Sequence, residues 1–436
     1  MGNVNSDQKS KGETCSKGRL IPFTTRQIPK YLKPTKTKER KRAPSTSSKS
    51  KSSSKEKAVQ FADLDDEKLN DDESRLPNLL MTGVSEDNSY DAAHSANFKW
   101  IKGRRFTDTQ GSSYLFPVDK PEQDRQRMQA YVLKWAFGRS FLAPVSTLLK
   151  KGCRVMDIGC GVGAWAIDIA LDYQKTNVVG IDVADIFLLH QGTRLANRSY
   201  SVSSTSLPSD NVSSNPKSSS SASQTTSENS EVSNIRFEEC NVLNGILYPD
   251  DHFHYIHQAH MAFAYTRSQW KQVLQEAVRV LAPGGYIELV EIEFPGRRYG
   301  PKATHVAQKA LHVVSDRGFD AGVATDLQEL LRCSGMTDIS GSYVSMPVGD
   351  WSQEENYIGN LWRENSQIFI NSAKPWLAPA LGWTSQEYTS LWNAAHEEMN
   401  ETNAFINVFV SWGRKPEDGS AEINWNDCTI PGWPEA

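Results

Sequence analysis

The sequence predicts an α/β fold in which a mostly parallel sheet carries helices on both faces. Three observations lead to that expectation. Short apolar runs of strand length alternate with segments of helical apolar spacing. One such strand enters a glycine-rich turn that opens a helix, Arg154-Val155-Met156-Asp157-Ile158-Gly159-Cys160-Gly161-Val162-Gly163-Ala164. Farther on, Pro283-Gly284-Gly285 stops a helix and reverses the chain into a strand.

In chain order, residues 1–90 come first, poor in apolar side chains and rich in Ser and Lys. Such a segment buries too little surface to order itself, so a disordered tail is expected. Up to Lys57 there are 16 basic and 4 acidic residues, a balance of +12, which leaves −16 for the remainder of a 436-residue chain of net charge −4. A basic tail precedes an acidic body. The first core strand, Val155 to Ile158, is followed by the glycine turn and by the helix that begins Ala164-Trp165-Ala166-Ile167. A second strand, Val178-Val179-Gly180-Ile181, ends in Asp182. The serine-dense stretch at about 197–233 has no means of forming a core and reads as a solvated insertion. A third strand, Ile235 to Cys240, leads into Asn241-Val242, and a turn at Tyr248–Phe253 introduces a fourth, Tyr255-Ile256-His257-Gln258. A helix from Ser268 to Leu281 shows apolar spacing at Val273, Leu274, Ala277, Val278 and Leu281.

A strand–glycine–helix unit at the carboxyl edge of a sheet is where nucleotide-like ligands sit. Gly159, Gly161 and Ala164 satisfy the loose dinucleotide pattern G-x-G-x-x-A. However, Asp157, two residues before the first glycine, would repel a pyrophosphate and welcome an ammonium and a sulfonium. Asp157, Gly159, Gly161 and Gly163 also fit D-x-G-x-G-x-G, the first motif of the class I S-adenosylmethionine-dependent methyltransferases, which the chain resembles. Arg279-Val280-Leu281-Ala282-Pro283-Gly284-Gly285 matches that family's turn into strand five. The resemblance implies a Rossmann-like seven-stranded sheet, mostly parallel with an antiparallel last strand, and S-adenosyl-L-methionine as cofactor. It implies a cofactor site built from Asp157, Gly159, Cys160, Gly161, Gly163, Asp182, Asn241, Val242 and Gln258. Asp182 would accept from the ribose hydroxyls, a device NAD enzymes share. Asn241 stands where the family commonly has an acid for the adenine amino group, and its amide oxygen still accepts.

The segment Tyr114–Arg125, followed by a helix expected to run to about Leu149, narrows the resemblance. Together with Lys374-Pro375-Trp376, Leu381-Gly382-Trp383-Thr384, Glu387-Tyr388 and Val408–Pro416, it is similar to fungal methyltransferases like the velvet-complex regulators of secondary metabolism. On this reading the methyltransferase domain covers 91–416 and 417–436 form a C-terminal tail. Strands six and seven fall at about Thr337 to Met346 and Ala404 to Trp412, and helices near 353–372 and 385–400 roof the acceptor. Methyl transfer is an in-line displacement for which alignment and desolvation supply most of the acceleration. A base is needed only for a protonated acceptor. Among His257, Gln258, His260, Glu291 and Glu293, His260 and Glu291 are the chosen catalytic candidates. The acceptor, a small molecule or a protein, is not readable. A cofactor-binding regulatory scaffold is the alternative, and an NAD oxidoreductase a lesser one.

The six cysteines show no C-x-x-C pair or other metal-ligand spacing, and no metal is expected. With no signal peptide or long apolar run, an intracellular protein with reduced thiols is expected, nuclear or cytoplasmic. The tail offers other addresses. Lys36–Arg42 is a nuclear-import or anionic-surface cluster that could touch nucleic acid, and Met1-Gly2-Asn3-Val4-Asn5-Ser6 fits the N-myristoylation template. A regulatory protein complex is the partner that the resemblance implies.

Overall fold

The computed structural model describes residues 98–188, 232–352 and 356–433. The basic tail with its addresses, and most of the serine-rich insertion, lie outside the described residues.

A hairpin comes first, β1 (Phe98–Ile101) and β2 (Arg104–Thr107), closed by Lys102-Gly103 with φ of 48° and 76°. Two positive φ values in a two-residue loop match the right-handed twist of the strands. Helix α1 (Lys120–Phe137) starts where the Asp119 carboxylate accepts the Glu122 N–H, with Pro121 in its first turn. The helix expected to continue to about Leu149 is in fact two. Gly138 takes the left-handed conformation at φ 69° and ends α1, and α2 (Ser146–Lys151) follows after a break.

The sheet is built from β3 (Arg154–Ile158), β4 (Asn177–Asp182), β5 (Ile235–Glu239), β6 (Phe253–Ala259), β7 (Leu281–Ile292), β8 (Thr337–Pro347) and β9 (Phe405–Arg414). Its strand order is β5-β4-β3-β6-β7-β9-β8. Pairing is parallel from β5 to β7, and β9 alone runs antiparallel, between β7 and β8. The chain steps outward from β3 to β5 and then returns to β6 on the other side of β3. The crevice between the carboxyl ends of β3 and β6 is therefore the topological switch point where such sheets bind ligands.

Helix α3 (Ala164–Asp172) connects β3 to β4, and α4 (Arg267–Val280) connects β6 to β7, opened by a reciprocal Thr266–Gln269 capping box. Arg279 anchors the turn after α4. Its guanidinium donates to the carbonyls of Ile246 and Tyr248 and to Glu276 and Asp250, tying the start of β7 to the chain before β6. The buried Lys415 ammonium, just past β9, donates to the free carbonyls of Val278 and Leu281 at the end of α4.

Three further helices, α5 (Pro301–Ser315), α7 (Asn356–Ala380) and α8 (Ser385–Glu401), close over the β7 side, while α6 (Leu327–Cys333) lies before β8. The boundary expected at residue 416 is too early. Cys428, Ile430 and Trp433 are buried in the main core with Val273, Leu274 and Leu330, and the Trp433 indole donates to Asp320 at 2.9 Å. Residues up to 433 thus belong to the domain rather than to a tail. No helix among the described residues is long and apolar enough to cross a membrane.

Candidate active site

A cavity of about 350 Å³ opens at the switch point and continues beneath α7 and α8. Its volume is in the range of small-ligand pockets, roughly 300–1,000 Å³. At the sheet end the turn after β3 forms one wall. Cys160 N–H donates to the Ile181 carbonyl, which fastens the turn to β4. Gly161 has φ 55°, a backbone that favours glycine, and a Cβ there would sit 2.5 Å from the Gln126 amide oxygen and push that side chain aside. Burial and the neighbouring carboxylates of Asp182 and Asp157 push the Cys160 thiol well above its usual range, which keeps it inert. Gly163 takes another part. It caps α3 at φ 78°, packs against the Phe237 ring and is not among the residues lining the cavity.

Beneath the turn, Asp157, His257 and Glu288 stand in register on β3, β6 and β7, all buried. Asp157 Oδ1 lies 2.8 Å from His257 Nδ1, and the imidazole stacks on Trp165 at 3.8 Å and 6°. Asp157 is therefore half of a buried carboxylate–imidazole pair rather than a free charge at the mouth. Burial pushes its carboxyl up, while the His257 contact pulls the other way. Glu288 accepts the N–H groups of Leu142 (2.8 Å) and Ala143 (2.5 Å) and holds the α1–α2 connection over the pocket. The sequence reading missed this residue, although an acid inside an otherwise apolar strand was the available signal.

The Asp182 carboxylate, at the end of β4, accepts from Gly161 N–H at 2.8 Å and Ala184 N–H at 3.1 Å while lining the cavity. Burial and the nearby Asp157 raise its pKa to about 6. Across from it, Asn241 and Val242 also line the cavity. The Asn241 amide oxygen accepts from Leu243 N–H, capping a 3-10 turn at Val242–Asn244, and its amino group donates to the Gln110 carbonyl.

His260 and Glu291 reach the cavity together. His260, immediately past β6, has φ 64°, an unusual backbone for histidine. Glu291 secures that turn by accepting the N–H groups of Met261 and Ala262. Burial raises the Glu291 pKa to about 8 and lowers that of His260 to about 3, so at neutral pH both are held largely uncharged. The buried His260 Nδ1 has no partner among the described residues. Gln258 is buried away from the cavity, since His257 and Ala259 take the inward positions on β6. Glu293 also stays outside the lining, bound to Asn407 and Arg297.

Under the roof the lining turns aromatic. Phe116, Phe263, Phe294 and Phe369 form one cluster with centroids 4.6–5.8 Å apart. Arg125 of α1 also faces this region, but its charge is committed to Glu122, which is fully buried, at 2.7 Å. Ser372 and Asn365 of α7 complete that network and join α1 to α7.

A family model described as a methyltransferase domain matches residues 125–338. With the switch-point cavity and strand order above, it identifies the chain as a class I S-adenosylmethionine-dependent methyltransferase. The chain is 24% identical over 336 residues to "Methyltransferase pytC" of Aspergillus terreus, a match that covers 73% of this chain and 88% of that protein. It is related as well to the secondary metabolism regulator laeA of Gibberella zeae, 23% identical over 335 residues, 73% of this chain and 92% of that one. Among solved structures, Haemonchus contortus phosphoethanolamine N-methyltransferase 2, in complex with phosphomonomethylethanolamine and S-adenosylhomocysteine, aligns with a TM-score of 0.35 and 15% identity, over 69% of this chain and 61% of that enzyme.

Proposed function

We propose that this chain transfers the methyl group of S-adenosylmethionine to an acceptor held in the aromatic chamber beneath α7 and α8. The observation that supports this most is continuity. A single cavity is lined at one end by Gly161 and Asp182 and at the other by Phe369 and Trp362, so two ligands can meet without crossing solvent.

The residues at the sheet end suit the cofactor. Asp182, ionised at neutral pH, lines this end beside the buried Asp157–His257 pair, and the buried Arg125 is neutralised by Glu122. A carboxylate unopposed by a free buried cation disfavours phosphates and suits a cation. Asp182 retains lone pairs for ribose hydroxyls, and Asn241 with Val242 would meet the adenine. The glycine cradle admits close approach of the ligand to backbone. When bound, the cofactor supplies an electrophilic methyl group on a positively charged sulfur.

The chain's own contribution is chiefly to align and to exclude water. Helices α7 and α8 roof the chamber. Neutral His260 offers a hydrogen-bond acceptor beside it, and Glu291, largely protonated at neutral pH, holds His260 in place rather than removing a proton. Purified full-length protein, labelled cofactor and a fractionated cell extract test the proposal, which expects label in one fraction and stoichiometric S-adenosylhomocysteine. Cofactor binding without turnover would favour the second reading, a regulatory scaffold within a protein complex, which the likeness to the secondary metabolism regulator laeA supports.

A further inference from the structure

We infer that the acceptor is a planar, largely apolar small molecule bearing a hydroxyl group, and that Nε2 of His396 receives its O–H. This rests on the chamber being the acceptor site, as proposed above. His396 lies on α8, is 2% exposed and lines the cavity. Its Nδ1 is 3.0 Å from the Trp392 carbonyl oxygen. A carbonyl can only accept, so Nδ1 bears the ring proton and Nε2 a lone pair. That lone pair has no partner among the described residues. Buried polar atoms are overwhelmingly satisfied, so an orphan on a side chain that lines a cavity marks where a ligand completes the bond.

The surroundings narrow the ligand's chemistry. The indoles of Trp362 and Trp376, on α7, line the same cavity, and their buried N–H groups also lack partners among the described residues. They offer donors to oxygen atoms elsewhere on the ligand. Phe294 and Phe369 lie nearly parallel, 5.8 Å apart at 13°, in a wall suited to flat rings. A polypeptide inserted here would bring an N–H and a C=O with every residue, and a chamber with so few free polar atoms cannot satisfy them. Arg125, a buried cation in the cavity lining, is already neutralised by Glu122, which favours an uncharged guest.

Calorimetry on the full chain tests this with two probes of one ring system, 2-naphthol and 2-methoxynaphthalene, in the presence of S-adenosylhomocysteine. The naphthol should bind about tenfold tighter, the scale of one neutral hydrogen bond. His396→Phe should bring the naphthol to the ether's affinity while leaving S-adenosylhomocysteine binding within about twofold of the unaltered protein. His396→Gln, whose amide oxygen still accepts, should retain part of the preference, and it carries the test if the Phe variant fails to fold. Equal affinities of the two probes for the unaltered protein, or a preference that survives His396→Phe, would overturn the inference. So would label from the extract experiment that appears in precipitated protein instead of the solvent-extractable fraction. Failure of S-adenosylhomocysteine to bind the unaltered protein would instead remove the preceding proposal.

Discussion

Asp182 allows the cofactor reading to be tested through a single proton. Burial and Asp157 hold its pKa at about 6 in the free protein, above an ordinary carboxyl value of 3.8. Ribose hydroxyls donate, so binding selects the ionised form. At pH 7 roughly nine-tenths of the protein is already ionised, whereas at pH 5 only about one-tenth is, and affinity should fall about tenfold between them. S-adenosylhomocysteine has no group of its own that titrates in that window. Titration calorimetry from pH 5 to 8 in buffers of different ionisation enthalpy should therefore show proton release on binding at the acid end and none at pH 8. Asp182→Asn removes both the charge and one acceptor. A hydrogen bond to a charged group contributes about 1.5–3 kcal/mol, so the variant should bind roughly 10- to 150-fold more weakly at pH 7 and show no pH dependence. Pairing with Gly161 and Ala184 N–H groups also loosens in the variant, so a melting curve must accompany the titration. Unaltered affinity across the range, together with an Asn variant that binds normally, would refute the assignment.

Gly161→Leu should abolish S-adenosylhomocysteine binding in calorimetry, because a side chain at φ 55° is strained by about 1–2 kcal/mol and enters the cradle beside Gln126; normal binding would show that the turn is not the cofactor wall. The raised pKa of Glu291, about 8 against 4.5, makes a contribution to stability that is full below pH 4.5 and lost as pH rises through 8. Urea unfolding of the unaltered protein should show this component as a decline of at most about 1.4 kcal/mol per pH unit over that window, and Glu291→Gln should lack it. Trp433→Ala should cost about 3–5 kcal/mol in denaturant unfolding, since a fully buried indole and its bond to Asp320 are lost; a change below about 1 kcal/mol would mean the last residues do not support the core.

Much of the site is local in the chain and was legible for that reason. Asp157, Gly159, Gly161 and Asp182 occupy ends of strands or the turn after one, where residue type answers directly to backbone shape. Gln258 shows where such reading fails. Central parallel strands are buried on both faces, so β6 has no polar–apolar alternation from which its phase could be read. The tertiary packing turned His257 and Ala259 inward and Gln258 away. Glu291 illustrates a second limit. An acid at a strand end suggests a base, but only the fold revealed that its oxygens are occupied by Met261 and Ala262 N–H groups.

Local sequence alone determined the parallel strands β3 to β7, the helices α3 and α4 and the glycine turn, because each depends on neighbours a few residues apart. The placement of β9 between β7 and β8, the Arg125 link to Asn365 across 240 residues, the burial of Trp433 and the orphaned nitrogen of His396 belong to the tertiary structure alone. These depend on which distant surfaces meet. Apolar area drives that meeting without direction, and no short-range pattern records which polar atoms it leaves unpaired.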